Sequence, residues 1–296
     1  MQAADSSQVV TGPQTPADIV TVPAVTWSIH AQGLLELIRL RGPEQLQTPI
    51  GRSIFWVSAL STQIRSLTAG VECPVFIREW LDALGDRSPT TDADLVRMSR
   101  FADTAAFLSA EICRKLSETP LELLSVDLGN LWAQVQALQA PFGQAISDHH
   151  LSEPIDINRV HLCNMYRAYY IRVLQFFLDM LQAHLSQAEI TIDHGQANAM
   201  MDQCISTVRS LAAETIQVMP YILGHEQSSS MSADIPIYEP TLSRAVCWAD
   251  VLRLLWPLRV ILARRYLLSD EEVQVVEGAL QKINTDFCIR QATATF

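Results

Sequence analysis

The chain has 296 residues, 49% of them hydrophobic and only 18% charged, and its formal net charge is −11. That length and apolar fraction can bury a large core as one domain or two. The only lysines are Lys115 and Lys282, and no Lys/Arg run follows a phosphate backbone, which speaks against direct nucleic-acid binding, an electrostatic process.

Residues 1–25, rich in Ser, Thr, Gln and Pro, read as a flexible tail ahead of a single helical domain over 26–296. A first helix is predicted from about Trp27 to Leu40, closed by Gly42 and a Pro43 stop. Thr48 caps a second helix with Pro49 at its first position, running to about Gly70. A third spans Pro74 to Gly85 and a fourth about 91–117. The fifth opens on the capping box Thr119-Pro120-Leu121-Glu122 and reaches about Ala140, before a loop at 141–155.

The sixth, about 156–185, is the longest and most aromatic. Asp193 starts a seventh that ends at Met219-Pro220, and a Ser-rich loop covers 225–240. The eighth runs from Thr241 to about Leu267 with Pro257 as a kink point, and the ninth opens on the capping box Ser269-Asp-Glu-Glu272 and ends near Asn284. No stretch alternates with period two, so the fold class is all-α, a single bundle of about nine helices.

Six cysteines, Cys73, Cys113, Cys163, Cys204, Cys247 and Cys288, stand roughly forty residues apart with no Cys-x-x-Cys, so they read as free thiols in a reducing compartment rather than zinc ligands. Residues 1–22 lack a basic start and a continuous apolar stretch, and the apolar run at 245–263 is broken by Asp250, Arg253, Pro257 and Arg259. The expectation is an intracellular protein that spans no membrane.

Five segments carry a resemblance. They are His30-Ala-Gln-Gly33 through Leu37-Ile38 to Arg41-Gly42 with Thr48-Pro49-Ile-Gly51-Arg52, Asn164-Met-Tyr166-Arg167-Ala168-Tyr-Tyr-Ile171, Glu214 through Pro220-Tyr221-Ile-Leu223-Gly224-His225, Leu254-Leu255-Trp256-Pro257-Leu258, and Cys288-Ile289-Arg290-Gln291-Ala292. In this order the chain resembles the regulatory domain of fungal zinc binuclear-cluster transcription factors. Val218-Met219 stands where that family usually has Ser-Val, and the six-cysteine DNA-binding module does not occur in this sequence. The resemblance implies a regulatory half, able to sense a ligand or contact a protein, without its own reading head.

Candidate chemistry comes from helical placement. At about 100° per residue, the sixth predicted helix sets Ala168, Arg172, Gln175, Asp179 and Gln182 on one side and Tyr166, Tyr170, Val173, Phe177 and His184 on the other. The two tyrosines point inward, and their hydroxyls find backbone or water in a plain core, or a ligand in an apolar cavity. The eighth predicted helix is apolar nearly all round and reads as central, with Arg244 and Arg259 sharing its inward side with Trp248, Leu255 and Leu262. Buried guanidinium groups require ion pairing, or else they hold a carbonyl or anionic ligand.

The expected ligand site lies between the sixth and eighth helices, contacts Tyr166, Tyr170, Trp248 and Arg259, and needs a cavity of about 300 Å3 or more. The loop residues Asp148-His149-His150 and Asp193-His194 lack His-x-x-x-His spacing, so no metal is expected. No nucleophile elbow, phosphate-cradling loop or dinucleotide fingerprint occurs, and no cofactor is expected.

Two functions fit these readings. One is a regulator tied to fungal secondary metabolism, located in the nucleus, its partner an apolar small molecule or a protein, and its state a monomer or a homodimer. The other is a cytoplasmic, cofactor-free enzyme of a secondary-metabolite pathway. Such a cyclase, dehydratase or pericyclase would orient its substrate in an apolar pocket with one or two hydrogen-bond donors.

Overall fold

The computed structural model describes residues 32–85, 92–118, 121–150, 157–186, 194–224, 246, 248–287 and 289, the side chains of 121–127, 145–150, 194 and 248 excepted. The tail at 1–25, the opening turn of the first predicted helix, the Thr119-Pro120 cap and the loop at 225–240 lie outside them.

A first helix over 32–41, α1, is followed by nine more: α2 (Pro49–Ala69), α3 (Val75–Gly85), α4 (Ala93–Glu118), α5 (Leu121–Ala137), α6 (Gln139–His150), α7 (Ile157–Leu185), α8 (His194–Ile222), α9 (Trp248–Leu262) and α10 (Asp270–Phe287). Short 3-10 turns at Pro43–Gln47 and Arg265–Leu267 join neighbours. No strand occurs among the described residues. The all-α expectation of about nine helices is correct, with three changes.

The first change is α6, which occupies 139–150 where a loop was expected. Pro141 and Gly143 made that stretch look broken, but Pro141 falls in the first turn, where a proline removes no helical hydrogen bond. The second is α9, which contains Pro257 and ends at Leu262 rather than near Leu267, where a 3-10 turn over Arg265–Leu267 replaces it; the predicted start at Thr241 lies outside the described residues. The third concerns which helix is central. It is α7, which packs against α2, α4, α5, α6, α8 and α9 and is buried nearly all round.

Local signals explain the ends. Thr48 Oγ1 accepts from Gly51 N at 3.0 Å, and α2 stops at Gly70 in the left-handed region, φ 65°, which only glycine adopts freely. Ser269 and Glu272 form the expected capping box: Glu272 N donates to Ser269 Oγ at 3.2 Å and Ser269 N to the Glu272 carboxylate at 2.9 Å.

Side-chain bonds set the directions. Arg52 reaches Asp92 at the N-terminal ends of α2 and α4, and Gly70 lies against Cys113 near their C-terminal ends, so these helices run parallel. Phe101–Tyr166, with Cys113 and Phe176 both against Gly70 further along, places α7 parallel to α4, and Tyr169–Trp256 with Gln175–Val260 places it parallel to α9. Parallel neighbours need crossover elements; α3 supplies one between α2 and α4, and α5 with α6 supplies another between α4 and α7.

The apolar side chains fall into three clusters. The largest surrounds α7 with α4, α5 and α8, a second joins α9, α10 and the end of α8, and a third holds α1 to α3.

Candidate functional site

The central helix carries polar side chains that its position buries. His161, Asn164 and Arg167 follow one another at intervals of three along α7 and are at most 4% exposed. The histidine and the arginine each meet a carboxylate on another helix. His161 Nε2 lies 3.3 Å from Asp250 Oδ1 on α9. Arg167 donates through Nε to Glu214 Oε2 on α8 at 3.0 Å and through a terminal nitrogen to Asn164 Oδ1 at 3.0 Å.

A guanidinium buried without such acceptors would be strongly destabilising. These bonds therefore fix the arrangement of α7, α8 and α9. One further α7 side chain, Gln175, is fully buried and donates to the backbone carbonyl of Val260 at 2.7 Å.

The sequence-predicted ligand residues separate. Tyr166 packs edge-on against Phe101 of α4, ring centroids 5.0 Å apart. Tyr170 tilts against Phe142 of α6 at 5.7 Å. Both are buried, as expected from the wheel, and both face elements other than α9. Burial raises both phenols, Tyr170 up to about 12 and Tyr166 further, so both stay protonated at neutral pH. The tyrosine that meets α9 is Tyr169, against Trp256 at 5.1 Å.

Arg259 is half-buried on α9, where desolvation pulls its guanidinium below the usual arginine range. Trp248 begins α9, and its side chain and the whole of Arg244 lie outside the described residues. The same holds for the side chains of Asp148, His149 and His150, whose backbone is the last turn of α6, and of His194, which starts α8.

A second cationic group lies further along α7, near its middle. Arg172 stacks on Phe176 at 4.2 Å and donates to the Thr68 carbonyl at 2.9 Å, and burial is the first cause that lowers its guanidinium. Beside it, Arg264 is held by both oxygens of Asp179. These contacts tie α2, α7 and the end of α9 together.

The open concavity is elsewhere. A groove of about 720 Å3 runs between α1, α2 and the start of α3, with Leu35, Arg39, Arg65, Ser66, Val75 and Phe76 among its walls. None of Tyr166, Tyr170, Trp248 and Arg259 lines it.

Cys73, Cys163 and Cys204 are buried and Cys113 half-buried, all free thiols. Burial pushes Cys73 and Cys204 up to about 12, so neither is a ready nucleophile. Among the described residues no group of His, Cys, Asp and Glu has a metal-binding arrangement, and no helix is long and apolar enough to cross a membrane.

Sequence reasoning placed Arg167 and Glu214 in two separate motifs without pairing them. It also missed the His161–Asp250 contact and the buried Gln175. The signal was present: charged or amide side chains in a helix otherwise apolar on every side need partners from the elements that enclose it.

Compared with protein-family models, with curated proteins and with solved structures, the chain matches none.

Proposed function

We propose that this chain is a regulatory helical module that acts by contacting a protein or an apolar small molecule and does not grip DNA with these 296 residues. The observation that carries this reading is the meeting of separate motifs. Asn164 and Arg167 come from one segment that resembles the fungal zinc-cluster regulators and Glu214 from another, 47 residues apart, yet they form one hydrogen-bonded cluster. Thr48, Gly51 and Arg52 of the first segment likewise act together: Thr48 caps Gly51, and Arg52 donates to the Leu46 carbonyl and to Asp92.

Motif residues that depend on one another in space support a shared architecture, and the activity that the resemblance implies is regulation in the nucleus. The net charge of −11 supports action through partners rather than through a phosphate backbone.

Deletion of the gene, with transcripts and metabolites profiled in parallel, tests the reading. A regulator shifts transcripts of a defined gene set. Unchanged transcripts together with accumulation of one unprocessed metabolite would refute it in favour of a cofactor-free enzyme. Purified protein should also show no tight binding to duplex oligonucleotides that weakens between about 50 and 200 mM salt.

A further inference from the structure

The groove beside α1 has an apolar rim that stays exposed among the described residues. Val71 and Val75 on its wall are 51% and 65% exposed, and Leu35, Ala69, Pro74 and Phe76 continue the apolar surface between them. Its lining is nearly neutral, with Arg39 and Arg65 against Glu36, Glu72 and Glu79; Arg39 lies 3.7 Å from Glu36, and Arg65 donates to Gln32 Oε1 at 2.9 Å. An occupant therefore needs apolar side chains and little charge of its own.

The chain carries such a segment at the doorway. Gln32 lines the groove, and the residues just before it, Ile19-Val-Thr-Val-Pro-Ala-Val-Thr-Trp-Ser-Ile29, contain seven apolar side chains in addition to Pro23 and no ionised one. Further back, Met1 to Pro16 are mainly Ser, Thr, Gln, Gly, Ala and Pro, so the apolar content is concentrated where the chain joins the groove wall.

Reach is ample. From Gln32 to Arg39 the helix rises about 10 Å, whereas eleven extended residues span up to about 36 Å. A segment tethered at the groove's edge also meets it at millimolar effective concentration, of the order that short flexible linkers give. We infer that the groove between α1, α2 and α3 is the docking site of the chain's own segment Ile19–Ile29, held by Val71, Val75 and Phe76.

Hydrogen–deuterium exchange on the full chain tests this inference, with a synthetic peptide of residues 17–30 as the unprotected reference. Amides of 19–29 should exchange at least about tenfold more slowly in the protein than in the peptide. The double variant Val71→Asp/Val75→Asp should bring them to the peptide's rate. Both side chains are exposed, and Val75 opens α3, where a carboxylate suits the helix N-terminus, so the fold should persist in circular dichroism.

Val22→Asp/Val25→Asp alters the segment alone and should have the same effect, which keeps the test decisive if the first variant misfolds. Exchange at the peptide's rate in the unaltered chain would overturn the inference. So would protection that survives both double variants. Protection that fades on dilution, together with a dimer in light scattering, would assign the groove to a second copy and overturn it equally.

Discussion

Gly51 gives a test in which two opposing effects can be compared. In a helix interior, Gly→Ala ordinarily stabilises by about 1 kcal/mol. At position 51 the added Cβ would run into the backbone of the preceding turn. It would overlap the Gln45 carbonyl oxygen and sit 2.7 Å from the Gln45 carbonyl carbon and 2.8 Å from Thr48 Oγ1, against an ordinary carbon contact of about 3.5–4.0 Å.

The turn Pro43–Gln47 would have to retreat by roughly 1 Å. It is fastened by Thr48 N to Gln45 O at 3.1 Å, by the Thr48 cap on Gly51, and by Gln45 Nε2 to the carbonyls of Ile38 and Gly42, both at 2.9 Å. Losing the cap costs about 1 kcal/mol and each further bond about 1 kcal/mol. The sum outweighs the propensity gain, so Gly51→Ala should destabilise by about 2–3 kcal/mol.

Gly278 on α10 is the control, because a Cβ there would meet nothing within 4 Å; Gly278→Ala should stabilise by about 0.5–1 kcal/mol. In thermal unfolding followed by circular dichroism, Gly51→Ala should lower Tm by about 5–10 °C and Gly278→Ala raise it by about 2 °C. Equal, upward shifts for both variants would refute the close-approach argument.

Three further outcomes follow from the burial pattern. Arg167→Ala should cost about 3 kcal/mol in urea unfolding, since it opens a cavity and strands Asn164. Glu214→Gln should cost only about 1 kcal/mol, because that carboxylate is 42% exposed and screened by water. Tyr169→Phe should leave stability unchanged or raise it by up to about 1 kcal/mol, since the fully buried Tyr169 hydroxyl has no partner among the described residues; a loss above 2 kcal/mol by the same assay would contradict this.

Stability should also fall in alkali. Cys73 and Cys204 start from 9.0 and Tyr170 from 10.0, and burial raises each to about 12 in the fold. Below pH 9 both states hold these protons and the contribution is complete. Between pH 9 and 12 the unfolded chain releases them first, so each group removes up to about 1.4 kcal/mol per pH unit. A Tm that stays flat from pH 8 to 11 would count against the burial of these groups.

Much of the architecture is legible in the residues that begin and end helices. Thr48-Pro49, Gly70 and Ser269–Glu272 mark their boundaries because caps are local chemistry, decided by neighbours within four positions. The central position of α7 was harder to see. Asn164, Arg167 and Gln175 resemble a solvated stripe until partners 47 and 85 residues away, Glu214 and Val260, come into view.

The candidate site suffered in the same way. Inward direction was readable for Tyr166 and Tyr170, but periodicity does not say which helix stands opposite. Phe101 and Phe142 stand there, with Trp256 opposite Tyr169 instead. The groove at α1 escaped notice because it is made by the angle between helices, not by any residue pattern.

The division of the apolar interior into three clusters has a consequence for how the molecule comes apart. The cluster of α1 to α3 is much smaller than the one around α7, and it touches the rest chiefly where α2 and α3 lie on α4. Under denaturant this portion should let go as a separate cooperative block, ahead of the rest. A ligand or segment seated at α1 would then act as a clasp, deciding whether the protein melts in one step or two.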